Sequence, residues 1–277
     1  MESASPELTP VTGHSTLREY LADLWDRREF VRAMPRHELH AQNLDTALGN
    51  FWFLINPILL TGIYWLIFGV LLDVNRGADN YVTFLLIGVL LYRFFASTTV
   101  VASRAMFRNR GLVRSLYFPR AVIPLAVSLS SLYTLMPGLL VLFITAIVTG
   151  EVPDWRWLFF PAVVAITFVF VTGSILIFAR LGHSFRDLSS ILPHVTRLGF
   201  YASGVLYDPE AFTDNPAALA LFDVNPLYQF ISLGRWSIME QDVSWWFWIT
   251  APAWALASVI YGFVYFWRAE TTYGSER

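Results

Sequence analysis

Six stretches of this chain are each long and apolar enough to cross a bilayer, and that limits the fold more than any other feature. A helix needs about 20 apolar residues to span the hydrocarbon. Phe51–Leu72, Tyr81–Val101, Ala121–Val148, Leu158–Leu181, Leu188–Tyr207 and Trp245–Trp267 all meet that requirement. Lipid gives backbone N–H and C=O groups no partners, so each stretch is expected to be helical. Membrane strands would instead leave segments of about ten alternating residues, which is not the pattern here. Composition agrees, at 56% hydrophobic and 14% charged residues, where a soluble domain has about a quarter charged. The expected fold is an all-α integral membrane protein with six transmembrane helices. It forms one domain over 1–277, with an N-terminal segment (1–50), a six-span region (51–267) and a short tail (268–277).

Orientation follows from arginine placement. With six spans both termini share a side, together with the loops 102–120 and 182–187. That side collects Arg18, Arg27, Arg28, Arg32, Arg36, Arg104, Arg108, Arg110, Arg114, Arg120, Arg180, Arg186, Arg268 and Arg277, against Arg76, Arg156 and Arg235 on the other. Fourteen against three places both termini in the cytoplasm, so the membrane is expected to be one that bounds the cytoplasm. The opposite segments are acidic, with Asp73, Asp79, Glu151, Asp154, Asp208 and Glu210 among them. The first apolar stretch begins only at Phe51, so no secretory signal is expected.

All nineteen basic residues are arginine. A phosphate-cradling P-loop needs a lysine to reach the β- and γ-phosphates, so this chain is not an ATP-hydrolysing P-loop subunit, and any ATP-driven motor is a separate polypeptide. Cysteine is absent, which removes disulfides, thiolate metal sites and cysteine nucleophiles. His37-Glu38-Leu39-His40 has too few ligands for a metal site. No metal, cofactor or catalytic group is therefore expected on this chain. Acidic residues avoid the spans, which argues against proton-coupled carriage. A net charge of −2 gives no reason to expect a nucleic-acid partner.

Three hydrophilic segments have their own patterns. In Ser15–Val31, Leu17, Tyr20, Leu21, Leu24, Arg28 and Val31 recur at helical spacing, which predicts a helix lying in the cytoplasmic interface. The run Asn109, Arg110, Gly111, Leu112, Val113, Arg114, Ser115, Leu116, Tyr117 is short, basic and apolar by turns, and Pro119 closes it. The longest loop, Asp208–Ser244, contains Ala217–Phe222 and Leu227–Ile238, both apolar and too short to span. These are expected to be re-entrant or interface-lying helices. Within the spans, Arg93 sits at the centre of the second, where an arginine must face protein or water. It is either a structural group bonded to carbonyls or a cation lining a conduit. The fifth stretch combines Asp187, Pro193, His194, Arg197 and Tyr201 with Gly199, Ser203 and Gly204, which permit close helix approach.

Several of these residues resemble a known family. Leu48-Gly49-Asn50-Phe51-Trp52-Phe53-Leu54-Ile55-Asn56-Pro57 is similar to the start of the first span in permeases of polysaccharide-exporting ABC transporters, of the O-antigen, teichoic-acid and galactan type. Arg110–Arg120 resembles that family's coupling segment, Phe185-Arg186-Asp187-Leu188 its fifth-span start, and Asp223-Val224-Asn225-Pro226-Leu227 the motif before its last span. The family's basic run before the first span is replaced here by Arg36-His37-Glu38-Leu39-His40-Ala41-Gln42. The resemblance implies a homodimer of six-span permeases on two copies of a nucleotide-binding ABC ATPase subunit, which binds ATP and Mg. It also implies a lipid-linked polysaccharide substrate, a prenyl-diphosphate glycan, and a coupling role for Asn109–Tyr117.

A glycan conduit should offer aromatic platforms, and its diphosphate should seek arginine forks. Trp52, Tyr64, Arg93, Arg197, Tyr201 and Tyr207 are the conduit candidates, and Asp208, Asn225, Pro226 and Phe230 the candidates for an external gate. The alternatives are an ABC permease for a drug or other small molecule, or a membrane enzyme of lipid-linked glycan metabolism. The enzyme would need paired carboxylates that the cytoplasmic segments do not supply.

Overall fold

The computed structural model describes residues 17–34, 49–72, 80–109, 111 and 118–270. Those residues are helical throughout their regular elements. Helix α1 (Leu17–Asp26) is followed by α2 (Trp52–Tyr64), which runs on as a π-helical stretch over Trp65–Leu71. Then come α3 (Tyr81–Arg108), α4 (Val122–Val148), α5 (Phe160–Ser184) and α6 (Leu188–Tyr201). Two short helices, α7 (Pro216–Val224) and α8 (Pro226–Met239), precede α9 (Phe247–Trp267).

Five of these are long and apolar enough to cross a membrane: Trp52–Leu71, Tyr81–Arg108, Val122–Val148, Trp155–Ser184 and Phe247–Trp267. The protein is therefore a multi-pass membrane protein. The fifth apolar stretch, expected as one helix over Leu188–Tyr207, differs from that expectation. Its helix stops at Tyr201, and 14 residues at ~1.5 Å each reach about 21 Å, short of the ~30 Å hydrocarbon. The stop is local. Gly204 takes φ +61°, a left-handed conformation that glycine adopts freely, and 202–207 turn back toward the bundle. The second span runs further than expected, to Arg108. The N-terminal helix breaks at Arg27 and resumes over 28–34. The His37–His40 run and most of Arg110–Tyr117 lie outside the described residues.

α3 is the axis of the bundle, buried from Tyr81 to Met106 except on one stripe through Arg93 and Ser97. Without water to drive apolar faces together, membrane helices gain stability from close van der Waals contact at small residues. Three glycines provide it here. A Cβ on Gly173 would collide with the Ser258 backbone, and one on Gly262 with the Gly173 backbone, so α5 and α9 touch main chain to main chain. Gly182 meets the Ser103 backbone in the same way, which seats α5 on α3. Ser258 Oγ and Ser174 Oγ both donate to the Phe170 carbonyl at 3.0 Å, adding polar contacts inside the apolar seam. By contrast α2 and α6 are peripheral. Ile58, Leu59, Ile63, Leu66 and Val70 on α2 are exposed, as are Ile191, Val195 and Leu198 on α6.

Proline supplies the other organising device, because it has no N–H for the carbonyl four residues back. Pro193 lies inside α6 and frees the Ser189 carbonyl, which accepts Arg104 NH2 from α3 at 2.9 Å. Where the proline follows an asparagine outside a helix, it starts one. Asn215 and Asn225 accept from the backbone N–H two residues on, with Pro216 and Pro226 at the first helical position.

The arginine-rich end of the bundle is tied by one carboxylate. Glu270, just past α9, accepts Tyr20 OH of α1 at 2.9 Å and the Arg120 backbone N–H at 2.9 Å. Arg120 Nη1 also donates to the Glu270 carbonyl, and Tyr20 OH accepts the Ala121 N–H. One knot thus joins α1, the start of α4 and the end of α9. Burial pushes the Glu270 carboxyl above its usual value of 4.5, against the opposing bonds from Arg120 and Tyr20.

Two measurements check this packing. Gly173→Leu or Gly262→Leu forces backbone apart and should cost at least the ~1–3 kcal/mol of overpacking, read as lost monodisperse yield and a lower thermal midpoint in detergent. Gly62→Ala, with open space around its Cβ, should be unaffected, and an equal loss in all three would contradict the account. Separately, a carboxyl whose folded-state pKa is raised stabilises below its ordinary value and loses that contribution as pH rises through the raised value. The thermal midpoint should fall from pH 4.5 upward in the wild type and less steeply in Glu270→Gln. Parallel slopes would exclude Glu270 as the titrating group.

Candidate functional site

Three helices bring four of the six sequence-selected conduit residues, Tyr64, Arg93, Arg197 and Tyr201, into one neighbourhood. The turn at Pro193 and the Tyr92 OH bond to the Thr196 carbonyl press α6 onto α3, with Gly199 facing the Tyr92 hydroxyl. Phe200 then sits between two tyrosines, 5.2 Å from the Tyr64 ring on α2 and 5.3 Å edge-on from Tyr92. Tyr64 lies within electrostatic reach of Arg93, Arg197 and Tyr201. Arg93, Arg197 and Tyr201 are all exposed. Neither guanidinium hydrogen bonds or pairs with any described residue. The arrangement is an aromatic wall with two free cations at its edge, which suits an anion attached to a group with C–H faces.

Trp52 stands apart from this cluster, at the N-terminal end of α2. Tyr207 is also separate. Its hydroxyl donates to the Tyr201 carbonyl at 3.0 Å, and its ring packs on Phe212 and Phe222. From the cluster a chain of rings leads inward, from Tyr92 to Phe95, Phe170 and Phe230, at centroid spacings of 6.3, 5.9 and 5.1 Å.

The residues selected as a gate separate into different roles. Asn225 caps α8 and donates to the Ala202 carbonyl and Ser203 Oγ, both at 3.1 Å, which pins the α7–α8 hairpin to the turn after α6. Pro226 is the first residue of α8. Asp208 caps a short 3-10 turn and accepts Gln241 Nε2 at 2.7 Å. Phe230 is 1% exposed and packs on Phe170, so as placed it anchors α8 in the core. Of the candidate coupling segment, Asn109 ends α3 by donating to the Ala105 carbonyl, and Gly111 is exposed. Arg110, Leu112, Val113, Arg114, Ser115, Leu116 and Tyr117 lie outside the described residues.

Sequence reasoning counted Arg235 only as one of three arginines on the external side. It is 2% exposed, donates to the Val205 carbonyl at 3.0 Å and the Phe84 carbonyl at 3.4 Å, and lies 3.3 Å from the Phe84 ring centroid. Gly88 leaves the room it occupies. An arginine in the middle of an apolar helix of α8's length was the available signal. It holds α8 to α3 and to the turn after α6, while Gln229 Oε1, accepting Thr250 Oγ1 at 2.9 Å, holds α8 to α9. Among the described residues no cluster of three or more His, Cys, Asp or Glu side chains is placed to hold a metal.

Known proteins match this sequence over most of its length. Residues 31–239 fit the family described as ABC-2 type transporter. The chain is 27% identical over 255 residues to the O-antigen export system permease protein RfbA of Myxococcus xanthus, covering 92% of this chain and 95% of that one. It is 30% identical over 231 residues to the protein of the same name from Klebsiella pneumoniae, covering 77% and 86%. With most of its length inside the family's match, and full-length permeases as relatives, this chain belongs to the ABC-2 type transporter family.

Proposed function

We propose that this chain is the membrane subunit of an ATP-driven exporter that moves a prenyl-diphosphate-linked polysaccharide of the O-antigen type across a bacterial cytoplasmic membrane. The observation that supports this most is the match to O-antigen export permeases over nearly the whole chain. The aromatic wall with free Arg93 and Arg197 beside it has the chemistry such a substrate needs. The C–H faces of sugar rings stack on aromatic rings, and diphosphate oxygens accept from guanidinium forks. A transport role also fits a chain with no lysine for a P-loop, so ATP and Mg belong to a partner subunit.

In this reading two copies of the chain pair through the exposed apolar face of α6, where Ile191, Val195 and Leu198 lie, and each copy sits on one nucleotide-binding subunit. The arginine asymmetry puts α1, both termini and Asn109–Tyr117 on the cytoplasmic side. Helix α6 then enters the membrane as the fifth, shortened crossing in chain order, and α7 and α8 form a re-entrant external cap with α8 anchored at Phe230. Segment Asn109–Tyr117 docks in a groove on the motor and passes its tilt to α3 and α4.

The decisive variant is the double substitution Leu112→Asp and Leu116→Asp, which takes apolar groups out of that docking segment. ATPase activity of the assembled complex should persist while surface display of the glycan falls at least ~tenfold, with matched expression. Wild-type display from the double variant would contradict the coupling assignment.

A further inference from the structure

The seam where α2 crosses α3 and α4 contains two cavities of opposite character. One, about 260 Å³, lies in the half nearer the arginine-rich end, and Asn56, Arg93, Ser97, Ser131 and Thr134 are among its walls. The other, about 290 Å³, lies in the opposite half between Ile58, Thr61, Trp65, Leu86, Val141 and Thr145, and its surface is mainly apolar. Pro57, Leu90 and Gly138 line the first cavity on the side toward the second. Helix α6 contributes to neither, so this seam is distinct from the aromatic wall at Phe200, with Arg93 at the border of both.

The hydrogen-bonding state of the polar cavity is specific. The Arg93 guanidinium and the Asn56 carboxamide have no partner among the described residues, so both are free to donate. The hydroxyls have already used their protons. Ser97 donates to the Arg93 carbonyl at 2.7 Å, Ser131 to the Val127 carbonyl at 3.0 Å and Thr134 to the Ser131 carbonyl at 2.8 Å. Their oxygens therefore face the cavity as acceptors. Pro57 also leaves the carbonyl of Phe53, a lining residue four positions back, without its usual helical donor. The cavity thus presents a cation and an amide beside several acceptors, which complements an anion joined to a hydroxyl-bearing group.

Order along the seam matters as much as chemistry. Arg93 is midway along α3, on the side toward the apolar cavity. Ser97 is one turn nearer the arginine-rich end, and Ser131 lies on the same half of α4. Read along the seam, the sequence is apolar slot, cation, then acceptors. We propose that this seam is a loading site for the lipid-linked substrate, with the prenyl chain in the apolar cavity, the diphosphate on Arg93 and Asn56, and the first sugar's hydroxyls donating to Ser97 and Ser131. The proposal rests on the export function above and adds where the substrate leaves the cytoplasmic leaflet.

Phosphatidylglycerol also joins a phosphate to hydroxyls, and free pyrophosphate shares the anion, so the test separates all three. Purified permease in phosphatidylcholine nanodiscs is titrated with farnesyl-diphosphate-N-acetylglucosamine bearing a photoreactive group on its prenyl end. The site predicts saturable binding, crosslinks to α2 or α4 near Ile58 and Val141, and a loss of at least ~tenfold in affinity in Arg93→Gln, as expected for losing charge-assisted bonds. Asn56→Leu should weaken binding in the same direction, and Arg93→Lys should restore part of it. Pyrophosphate and phosphatidylglycerol should compete poorly. Equal competition by phosphatidylglycerol would make the cavity a general anionic-lipid site, and equal competition by pyrophosphate an anion site without lipid recognition. Either overturns the assignment, as does unchanged affinity in both folded variants. If the wild type exports glycan while these variants bind normally, the seam is wrong and the export function stands. If the wild type neither binds nor exports, the export function itself fails.

Discussion

Main-chain contact between α5 and its two neighbours is the constraint on which the rest of this structure depends. In hydrocarbon an apolar side chain gains little from leaving lipid, so association rests on how closely helices approach. Gly173, Gly182 and Gly262 remove the side chains that would keep α3, α5 and α9 apart. The three helices become one block, and α2, α6 and α7 lie at its margin. The peripheral position of α2 and α6 follows from that block, since neither has a comparable backbone notch into it.

The polar groups of the margin are generated locally. Each proline inside a helix releases a carbonyl, and the structure uses these differently. The Ser189 carbonyl is taken by Arg104, which fixes α6 in place, whereas the Phe53 carbonyl is left at a cavity wall. At the opposite end a buried arginine does comparable work without a carboxylate. Burying Arg235 is costly unless its donors are satisfied, and the Val205 and Phe84 carbonyls with the Phe84 ring satisfy it in part. Helix α8 is therefore held both by its buried face, Phe230 and Leu233 included, and by hydrogen bonds to the turn after α6 and to the start of α3, whereas α7 buries no residue.

Much of this was legible in the sequence, because span length and composition are direct consequences of the solvent. Five expected spans coincide with five long helices to within a few residues at most ends. The two short helices before α9 fall where their Asn-Pro starts place them. The exception, α6, ends early because a backbone turn at Gly204 outweighs an uninterrupted apolar pattern, and apolar pattern alone does not register a φ angle. Residue type alone picks out Tyr64, Arg93, Arg197 and Tyr201, and the fold brings the last three within electrostatic reach of Tyr64, which no single-helix periodicity guarantees. Phe230 was selected by position in a loop, yet its ring packs in the core. Arg235 was passed over because charge counting treats every external arginine as solvated, whereas Gly88, 147 positions earlier in the sequence, is what makes room for it.

On the proposed function, this chain moves a lipid-linked glycan only when a separate motor hydrolyses ATP. Proteoliposomes holding the chain together with its nucleotide-binding partner, and a fluorescent prenyl-diphosphate oligosaccharide in the leaflet facing the motor, test it directly. Access of the oligosaccharide to a lectin on the opposite side should rise with added ATP and Mg. It should stay at baseline with a non-hydrolysable analogue, or when either subunit is omitted. Equal access without ATP, or ATP-driven access with the motor alone, would contradict the account.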